Sequence, residues 1–561
     1  MAYNRFCRRS HGCILMRLTY AGQADFHRAV SKSDDGYLDF IVLNVGAFQR
    51  KDPQALQPIL RECIRALKRG GLLFVQGMPE YLPDIGVYLD SLLIFKYWIV
   101  VESAIRRDRH GLPSAHTGIL LYTKGNGFHL EKVRHPHQNC AFCGRLLRDW
   151  GGKTHLMHPQ GRALSDIWRH LPPADNRIGL SQPVLDLILA MVGQEGVGII
   201  GPHVPSASAL SISQPSNYDT HVDIQTQVSH ETPADLPQDL VNVVHLGDIV
   251  EVLKQYPDNS VDLAFADPPY NLGKGYSLYN DGCTREEYIA WCEAWLKEYV
   301  RVLKPTGSLY VLNLPRWAMY QATFLNQRLQ FQNWIAWDAM SEPRGKLMPA
   351  HYSLLFYTKH PTDFTFNYGE VGHIDSRKYC LRASCIKKRK QAGDDDKEPL
   401  TDIWSDIHRI KHLRDRDYHP CQLPDALMER IIRLSTNPGD VVLDALCGVG
   451  TTLVTAVRLG RRYIGVDIDA EYVEISRRKI AEVERNGCIV RQSIKRPVRK
   501  HKKKDLQLEL QRLARDLGRL PTPEDVRVHG KYELSAYFET FPTWGRALKA
   551  AKLEIISTIE D

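Results

Sequence analysis

The sequence has no apolar run long enough to cross a bilayer. Its most apolar stretch, Ser91 to Val101, is short and carries Lys96, which argues against a membrane-spanning helix. The first residues, MAYNRFCRRSHGCILMRLTY, hold no apolar core of the length a secretory signal needs. A cytoplasmic protein with no membrane partner is expected. Cysteine is sparse: the 12 cysteines are scattered over 561 residues, so they read as reduced thiols or metal ligands rather than a disulfide framework. Charge of one sign is also in small excess, with a net of +8. That excess is uneven, because Arg491 to Lys504 (RQSIKRPVRKHKKK) concentrates positive charge. Such a run suits a polyanion such as nucleic acid, or a solvated linker.

What is present is a soluble-protein composition, 43% apolar and 25% charged, in a chain long enough for roughly three or four domains. His203 to Gln238 is rich in Ser, Pro, Thr and Gln and reads as a linker between two large parts. Those parts resemble each other. His116-Thr-Gly-Ile-Leu-Leu-Tyr-Thr-Lys124 matches His351-Tyr-Ser-Leu-Leu-Phe-Tyr-Thr-Lys359, and Leu164-Ser-Asp-Ile-Trp168 matches Leu400-Thr-Asp-Ile-Trp404. The spacing is nearly equal, 52 residues from His116 to Trp168 and 53 from His351 to Trp404. Upstream, Leu67 to Val75 parallels Leu303 to Val311. Three matched segments in one order predict a duplicated domain.

The coarse pattern alternates strand and helix. Val261 to Ala266 and Ser308 to Leu312 are short apolar runs of the kind buried parallel strands show. Glu286 to Leu303 and Pro424 to Leu434 have helical spacing. Val441 to Leu443 leads into a glycine turn. The alternation predicts a doubly wound α/β fold.

Two constellations carry chemistry. In Asp444-Ala-Leu-Cys-Gly448-Val-Gly450-Thr451-Thr452 a strand ends, a glycine turn follows and a helix begins at about Thr452. Such a turn lets a nucleotide-like ligand approach backbone N–H groups and a helix N-terminus. One strand-helix unit later, Tyr463-Ile-Gly-Val-Asp467 ends in an acid placed to accept from ribose hydroxyls. The second constellation is Asp267-Pro268-Pro269-Tyr270. A strand ends in an acid, two prolines stiffen the turn and donate nothing, and carbonyls remain as acceptors. Acceptors of this kind can hold an exocyclic NH2 and aim its lone pair at an electrophile, while Tyr270 offers a flat face for a base.

These segments resemble the N4/N6 amino-DNA methyltransferases. Val243 to Asp248 with Ser260 to Asn271 looks like their catalytic half; His419 to Pro424, Asn437 to Asp444 and Gly448 to Asp467 look like their cofactor half. That order is similar to the beta group, and the resemblance covers about residues 240 to 490. It implies a Rossmann-like S-adenosylmethionine-dependent methyltransferase fold acting on double-stranded DNA, in the restriction-modification and nucleoid setting of such enzymes. It further implies that Asp267 and the Pro268 carbonyl hold the amine, with Pro269 completing the turn and Tyr270 stacking on the flipped base. Asp248 would contact the cofactor adenine and Asp467 its ribose. Asp444, Gly448 and Gly450 would line the methionine end, Thr451 would also bind the cofactor, and His419 and Gln422 would complete the pocket. Ala445-Leu446 and Val449 depart from the family's usual Pro-Phe and Ser. The tetrapeptide favours adenine N6, with cytosine N4 as the rival. A reading of another class is a DNA-binding or nuclease-associated protein using the fold as scaffold; no His-Asn-His set or metal-binding carboxylate group of a nuclease can be assigned.

In the first part, Asn44-Val45-Gly46 stands where Asp-Pro-Pro stands in the second, and no glycine turn with an acidic strand end follows Ile200. Residues 1–202 are therefore expected to be a degenerate methyltransferase-like domain, paired internally with the active half at 239–490. Cys140-x2-Cys143 with His155-x2-His158 has the spacing of a tetrahedral zinc site. Cys380 and Cys385 have no histidine pair, and no metal is expected there. A basic linker over 491–504 leads to a small all-α module at 505–555. Its Leu517 to Val526, Phe541 to Trp544 and Ala547 to Ala551 resemble the homing-endonuclease-associated repeat, which implies DNA binding.

Overall fold

The computed structural model describes residues 3–5, 16–47, 53–106, 110–147, 157–169, 171, 180–193, 195–202, 234, 236–272, 282–339, 345–380, 382–394, 396–409, 422–487, 501, 503–541 and 544–553. The chain forms two compact units, residues 1–268 with 289–484 and residues 269–288 with 485–561. Among the described residues no helix is long and apolar enough to cross a membrane.

The larger unit holds two eight-stranded sheets. In the second, the strands run in the order Val243–Leu246, Arg462–Asp467, Val441–Asp444, Val261–Ala266, Leu303–Asn313, His351–Thr358, Gln330–Asp338 and Ile403–Trp404. The first five are parallel, and the hairpin Gln330–Asp338/His351–Thr358 is antiparallel. Helices Arg285–Val302, Pro315–Asn326, Asp425–Ser435 and Thr451–Arg458 connect strands of the sheet, and helix Ala470–Asn486 follows Arg462–Asp467. Parallel neighbours require such crossovers, and the strands read as continuous apolar runs because both faces are covered. Leu263, Ala264, Phe265 and Ala266 are all fully buried. This is the doubly wound α/β class that the alternation predicts.

The first sheet repeats the plan in the order Tyr3–Arg5, Arg17–Tyr20, Val197–Gly201, Leu38–Asn44, Leu67–Gly77, Ser114–Thr123, Ile94–Arg106 and Ile167–Trp168. Leu43 pairs with Val75 as Ala266 pairs with Val311, so Asn44 takes the register position of Asp267. Among the described residues this sheet has no counterpart of Arg462–Asp467. Arg17–Tyr20 pairs directly with Val197–Gly201, whereas Val243–Leu246 is separated from Val441–Asp444 by Arg462–Asp467. The first half thus lacks, among the described residues, the strand whose end would carry an acid like Asp467. Asn44 caps its own turn, accepting from the Gly46 N–H at 3.1 Å.

The two halves form one body because the repeated motifs interlock. Asp402 accepts from the Ala115 N–H at 2.7 Å, and Asp166 accepts from the Ala350 N–H at 2.8 Å. His116 Nδ1 lies 3.0 Å from Asp402, and His351 Nδ1 lies 3.1 Å from Asp166. The two ring approaches lack the alignment of a true hydrogen bond, so the amides make the directional contacts. Residue i of one copy meets j of the other, and j meets i: this is the reciprocity of a twofold interface. Trp98 and Trp334, on equivalent strands, stack with ring centroids 3.8 Å apart at 3°.

Among the described residues the smaller unit includes helices Lys503–Leu517, Pro523–His529, Leu534–Thr540 and Trp544–Ala550. Leu506, Leu510, Leu513, Val526, Tyr537 and Phe541 form its core. Gly518, at φ +64°, ends the first helix. Thr522 and Asp525 close a capping box on the second, with Pro523 in its first turn; these local signals suit a helix start in which orphan N–H groups need acceptors.

Candidate active site

The strand Val261–Ala266 delivers Asp267, and the adjacent strand Val441–Asp444 delivers the glycine turn. Phe265 pairs with Asp444, so both loops leave the same edge of the sheet. Ligands bind in α/β sheets beyond the carboxyl ends of the strands. Tyr299, fully buried on helix Arg285–Val302, ties the two exits together. Its hydroxyl donates to the Phe265 carbonyl at 3.0 Å and accepts from the Ala445 N–H at 2.9 Å. Sequence reading missed Tyr299, since one aromatic on an apolar helix face carries no distinguishing signal.

The glycine turn has little room for side chains. Gly448 and Gly450 have φ of +50° and +79°. A Cβ at Gly450 would sit 2.7 Å from the Ser476 hydroxyl, which itself donates to the Gly448 carbonyl at 2.8 Å. Gly450 precedes helix Thr451–Arg458 as its N-cap, and Thr451 opens that helix. The Gly448 N–H donates to Asp467 at 2.8 Å, and the other Asp467 oxygen accepts from the Asp469 N–H at 2.9 Å. The acid at the end of Arg462–Asp467 therefore braces the turn it faces. Asp248 lies on the neighbouring strand exit, where Leu246 pairs with Asp467. It is exposed and caps helix Ile249–Leu253, accepting from the Val250 and Glu251 N–H groups at 2.9 and 3.2 Å.

The electrostatics suit a cationic ligand. Burial pushes the Asp444 carboxyl up to about 7, against the Thr452 and Leu446 hydrogen bonds and with the Asp467 charge adding to the rise. Burial also raises Asp467, partly offset by the Asp469 and Gly448 N–H groups. Two acids desolvated side by side lose stability when ionised, and a nearby positive charge reverses that.

The prolyl turn is less open than its composition suggests. The Tyr288 hydroxyl donates to the Pro269 carbonyl at 2.6 Å, so that acceptor is engaged. Asn271, at φ +52°, donates its amide to the Cys283 carbonyl at 3.0 Å. Asp267 and Pro269 are half-buried, while Pro268 and Tyr270 are buried. Gln422 is half-buried just before helix Asp425–Ser435. His419, His155 and most of the basic run lie outside the described residues.

The expected Cys/His site is corrected. His158 does not join Cys140 and Cys143; its ring accepts from the Gln160 N–H at 3.2 Å. The group that converges is Cys140, Cys143, Cys380 and Cys385, including the two cysteines for which no metal was expected. Spacing within one segment pointed to the wrong partners because the second pair comes from the other half of the chain.

Comparisons with known proteins show similarity to DNA methyltransferases. Residues 261–478 match the DNA methylase model of the N6/N4 methyltransferases, and residues 502–554 match the homing endonuclease associated repeat. The chain is 40% identical to the type II methyltransferase M.BamHI of Bacillus amyloliquefaciens, over 40% of this chain and 53% of that protein, so the match spans about half of that relative. Identity is 35% to M.HpaI of Haemophilus parainfluenzae, covering 42% of this chain and 73% of the relative. It is 34% to the DNA adenine methyltransferase YhdJ of Escherichia coli K12, covering 42% and 82%. Among solved structures, the M1.HpyAVI–SAM complex covers 42% of this chain and 98% of its own, at 22% identity and a TM-score of 0.30. The chain belongs to the N6/N4 family of S-adenosylmethionine-dependent DNA methyltransferases.

Proposed function

We propose that the second half transfers a methyl group to the N6 amine of a flipped adenine in double-stranded DNA. The observation that carries this reading is Asp267-Pro268-Pro269-Tyr270 at the exit of the strand Val261–Ala266, one strand from the glycine turn. Bound S-adenosylmethionine supplies an electrophilic methyl on a cationic sulfur. The positive φ of Gly448 and Gly450, the close approach at Gly450 and the desolvated acids Asp444 and Asp467 fit such a group. Asp467 takes the ribose hydroxyls, and Asp248, Gln422, His419 and Thr451 complete the pocket. Asp267 and the Pro268 carbonyl accept from the amine's two N–H bonds, so its lone pair points away from both acceptors. Tyr270 offers a base-stacking face, worth roughly 1–3 kcal/mol against the few kcal/mol of unstacking. Holding both reactants in line can lower the barrier by about 7–11 kcal/mol.

The first half is a non-catalytic partner in an internal pseudo-dimer. An amide at Asn44 replaces the carboxylate, and no strand equivalent to Arg462–Asp467 is present among the described residues. The C-terminal helices with the basic run contact DNA, and the protein works in the cytoplasm on the nucleoid. The test is modification-sensitive sequencing of DNA from cells expressing the protein. N6-methyladenine at a defined site is expected; N4-methylcytosine would overturn the base assignment, and unmodified DNA the reaction.

The raised Asp444 predicts a pH dependence of cofactor binding. A cationic ligand favours the ionised acid, so below about 7 binding must first release a proton. Affinity should fall by up to about tenfold per pH unit on that side and level off above it. The neutral thioether product should show a shallower slope. For the free protein the sign is opposite. Folded Asp444 holds its proton more tightly than the unfolded chain, so its contribution to stability is present at low pH and lost as pH rises through about 7. Calorimetric titration across that range checks this, and a flat affinity would remove Asp444 from the site.

A further inference from the structure

Four thiols meet at one place in the larger unit. Cys140 and Cys143 come from the segment between the first half's strands Ser114–Thr123 and Ile167–Trp168. Cys380 and Cys385 come from the corresponding segment between His351–Thr358 and Ile403–Trp404. Each half therefore gives two sulfurs from topologically equivalent places. All four Sγ atoms lie within 4.8 Å of one another. Cys140 and Cys385 approach to 3.8 Å, Cys143 and Cys380 to 3.7 Å.

Those separations are diagnostic. A disulfide needs about 2.05 Å between sulfurs. Four sulfurs arranged tetrahedrally at about 2.3 Å from a zinc ion are about 3.8 Å apart. The observed contacts have the second spacing. The backbone is also shaped for it. Cys140 N–H donates to the Arg145 carbonyl at 2.7 Å, the Gly144 N–H returns to the Cys140 carbonyl at 2.9 Å, and Gly144 takes φ +68°. This tight turn brings Cys140 and Cys143 to one side. From the other half, the Cys380 N–H donates to the Cys140 sulfur at 3.3 Å, an orientation that favours a thiolate over a thiol. Cys385 sits in the first turn of helix Ala383–Ala392.

The surroundings match a structural ion. Cys140, Cys380 and Cys385 are buried, with Phe142, Leu147 and Tyr379 around them. This cluster stands apart from the main cores, and a segment with so few large apolar side chains gains little from burial alone. Tetrathiolate zinc carries a net negative charge, and Arg389, buried over the Tyr379 ring at 4.3 Å, brings positive charge beside the cluster. The two segments are already hydrogen-bonded to each other, Ala141 N–H to the Lys378 carbonyl at 2.9 Å and Arg382 to the Leu146 carbonyl at 2.8 Å.

We propose that Cys140, Cys143, Cys380 and Cys385 form a tetrathiolate zinc site, with two ligands from each half, that staples the first half to the catalytic half. Four protein ligands leave no open position, so the ion is structural and takes no part in methyl transfer. Its place is on the same pseudo-twofold interface as the reciprocal Asp166 and Asp402 contacts. The proposal stands independently of which base is methylated.

The test uses the full-length protein purified without chelator. Elemental analysis should give one zinc per chain, and a thiol-modifying reagent should release it. Cys380→Ser and Cys385→Ser should each lose the metal as completely as Cys140→Ser and Cys143→Ser, while His158→Ala retains it. Should the serine variants fold poorly, cobalt replacement in the parent gives a second readout: the intense visible bands of a tetrahedral cobalt tetrathiolate. Metal retained in Cys380→Ser and Cys385→Ser would overturn the ligand set. No bound metal with no cobalt spectrum, bound iron in place of zinc, or a disulfide among the four found by mass spectrometry would overturn the site.

Discussion

Replacing Asp267 with alanine should lower the single-turnover rate of methyl transfer by at least roughly a hundredfold to a thousandfold, the scale of losing one preorganised group that stabilises developing charge. In the proposed reaction the amine becomes a tetrahedral cation in the transition state, and the Asp267 carboxylate would be the charged acceptor beside it. Asp267→Asn keeps an acceptor oxygen but loses the negative charge, so it should be slower than the parent and faster than Asp267→Ala; the first half carries that residue at Asn44, in the same register. Cofactor affinity should stay near the parent value in both variants. The glycine turn leaves a different strand, Val441–Asp444, and is braced by Asp467. Transfer of a labelled methyl group and cofactor calorimetry on the same preparations separate the two effects. A variant that methylates at near the parent rate would refute the catalytic assignment.

Asp402→Ala and Asp166→Ala should each destabilise the protein by about 1–3 kcal/mol, as expected when a buried backbone N–H loses its acceptor. Each aspartate side chain is almost fully buried, at 2% and 5% exposure, against a histidine at 0%. Alanine leaves a buried backbone N–H without its acceptor, Ala115 in one case and Ala350 in the other. The asparagine variants keep an acceptor oxygen and should lose less. Because these contacts join the halves, the alanine variants should also unfold in separated steps, with the stacked Trp98 and Trp334 reporting the parting of the halves. Urea denaturation followed by tryptophan fluorescence reads both effects. A loss within about 0.5 kcal/mol, the range of an ordinary surface substitution, would show that the reciprocal contacts do not hold the halves together.

The chemistry of the second half could be read from the chain because it depends on residue types at the ends of strands. An acid, two prolines and a tyrosine in succession, or two glycines opening a helix, are family motifs that lie within a few residues. The local backbone conforms: Gly448 and Gly450 take positive φ, and helix Thr451–Arg458 starts at the turn. The repeated motifs were legible for the same reason. Their meaning was not, since nothing in His116 or Asp402 alone says that each copy's histidine strand would meet the other copy's aspartate.

Tertiary structure decided what depends on distant segments. Tyr299 links Phe265 to Ala445 only because its helix packs over both strands. That the first half has, among the described residues, no counterpart of Arg462–Asp467 became visible only as the direct pairing of Arg17–Tyr20 with Val197–Gly201. The cysteines make the difference clearest. Sequence spacing selects ligands within one loop, and it paired Cys140 and Cys143 with nearby histidines. Folding a duplicated chain about a pseudo-twofold brings equivalent loops together, so the sulfurs that meet Cys140 and Cys143 are Cys385 and Cys380. Residue types and their local order set which groups can do chemistry; which of them touch was set by the packing of one half against the other.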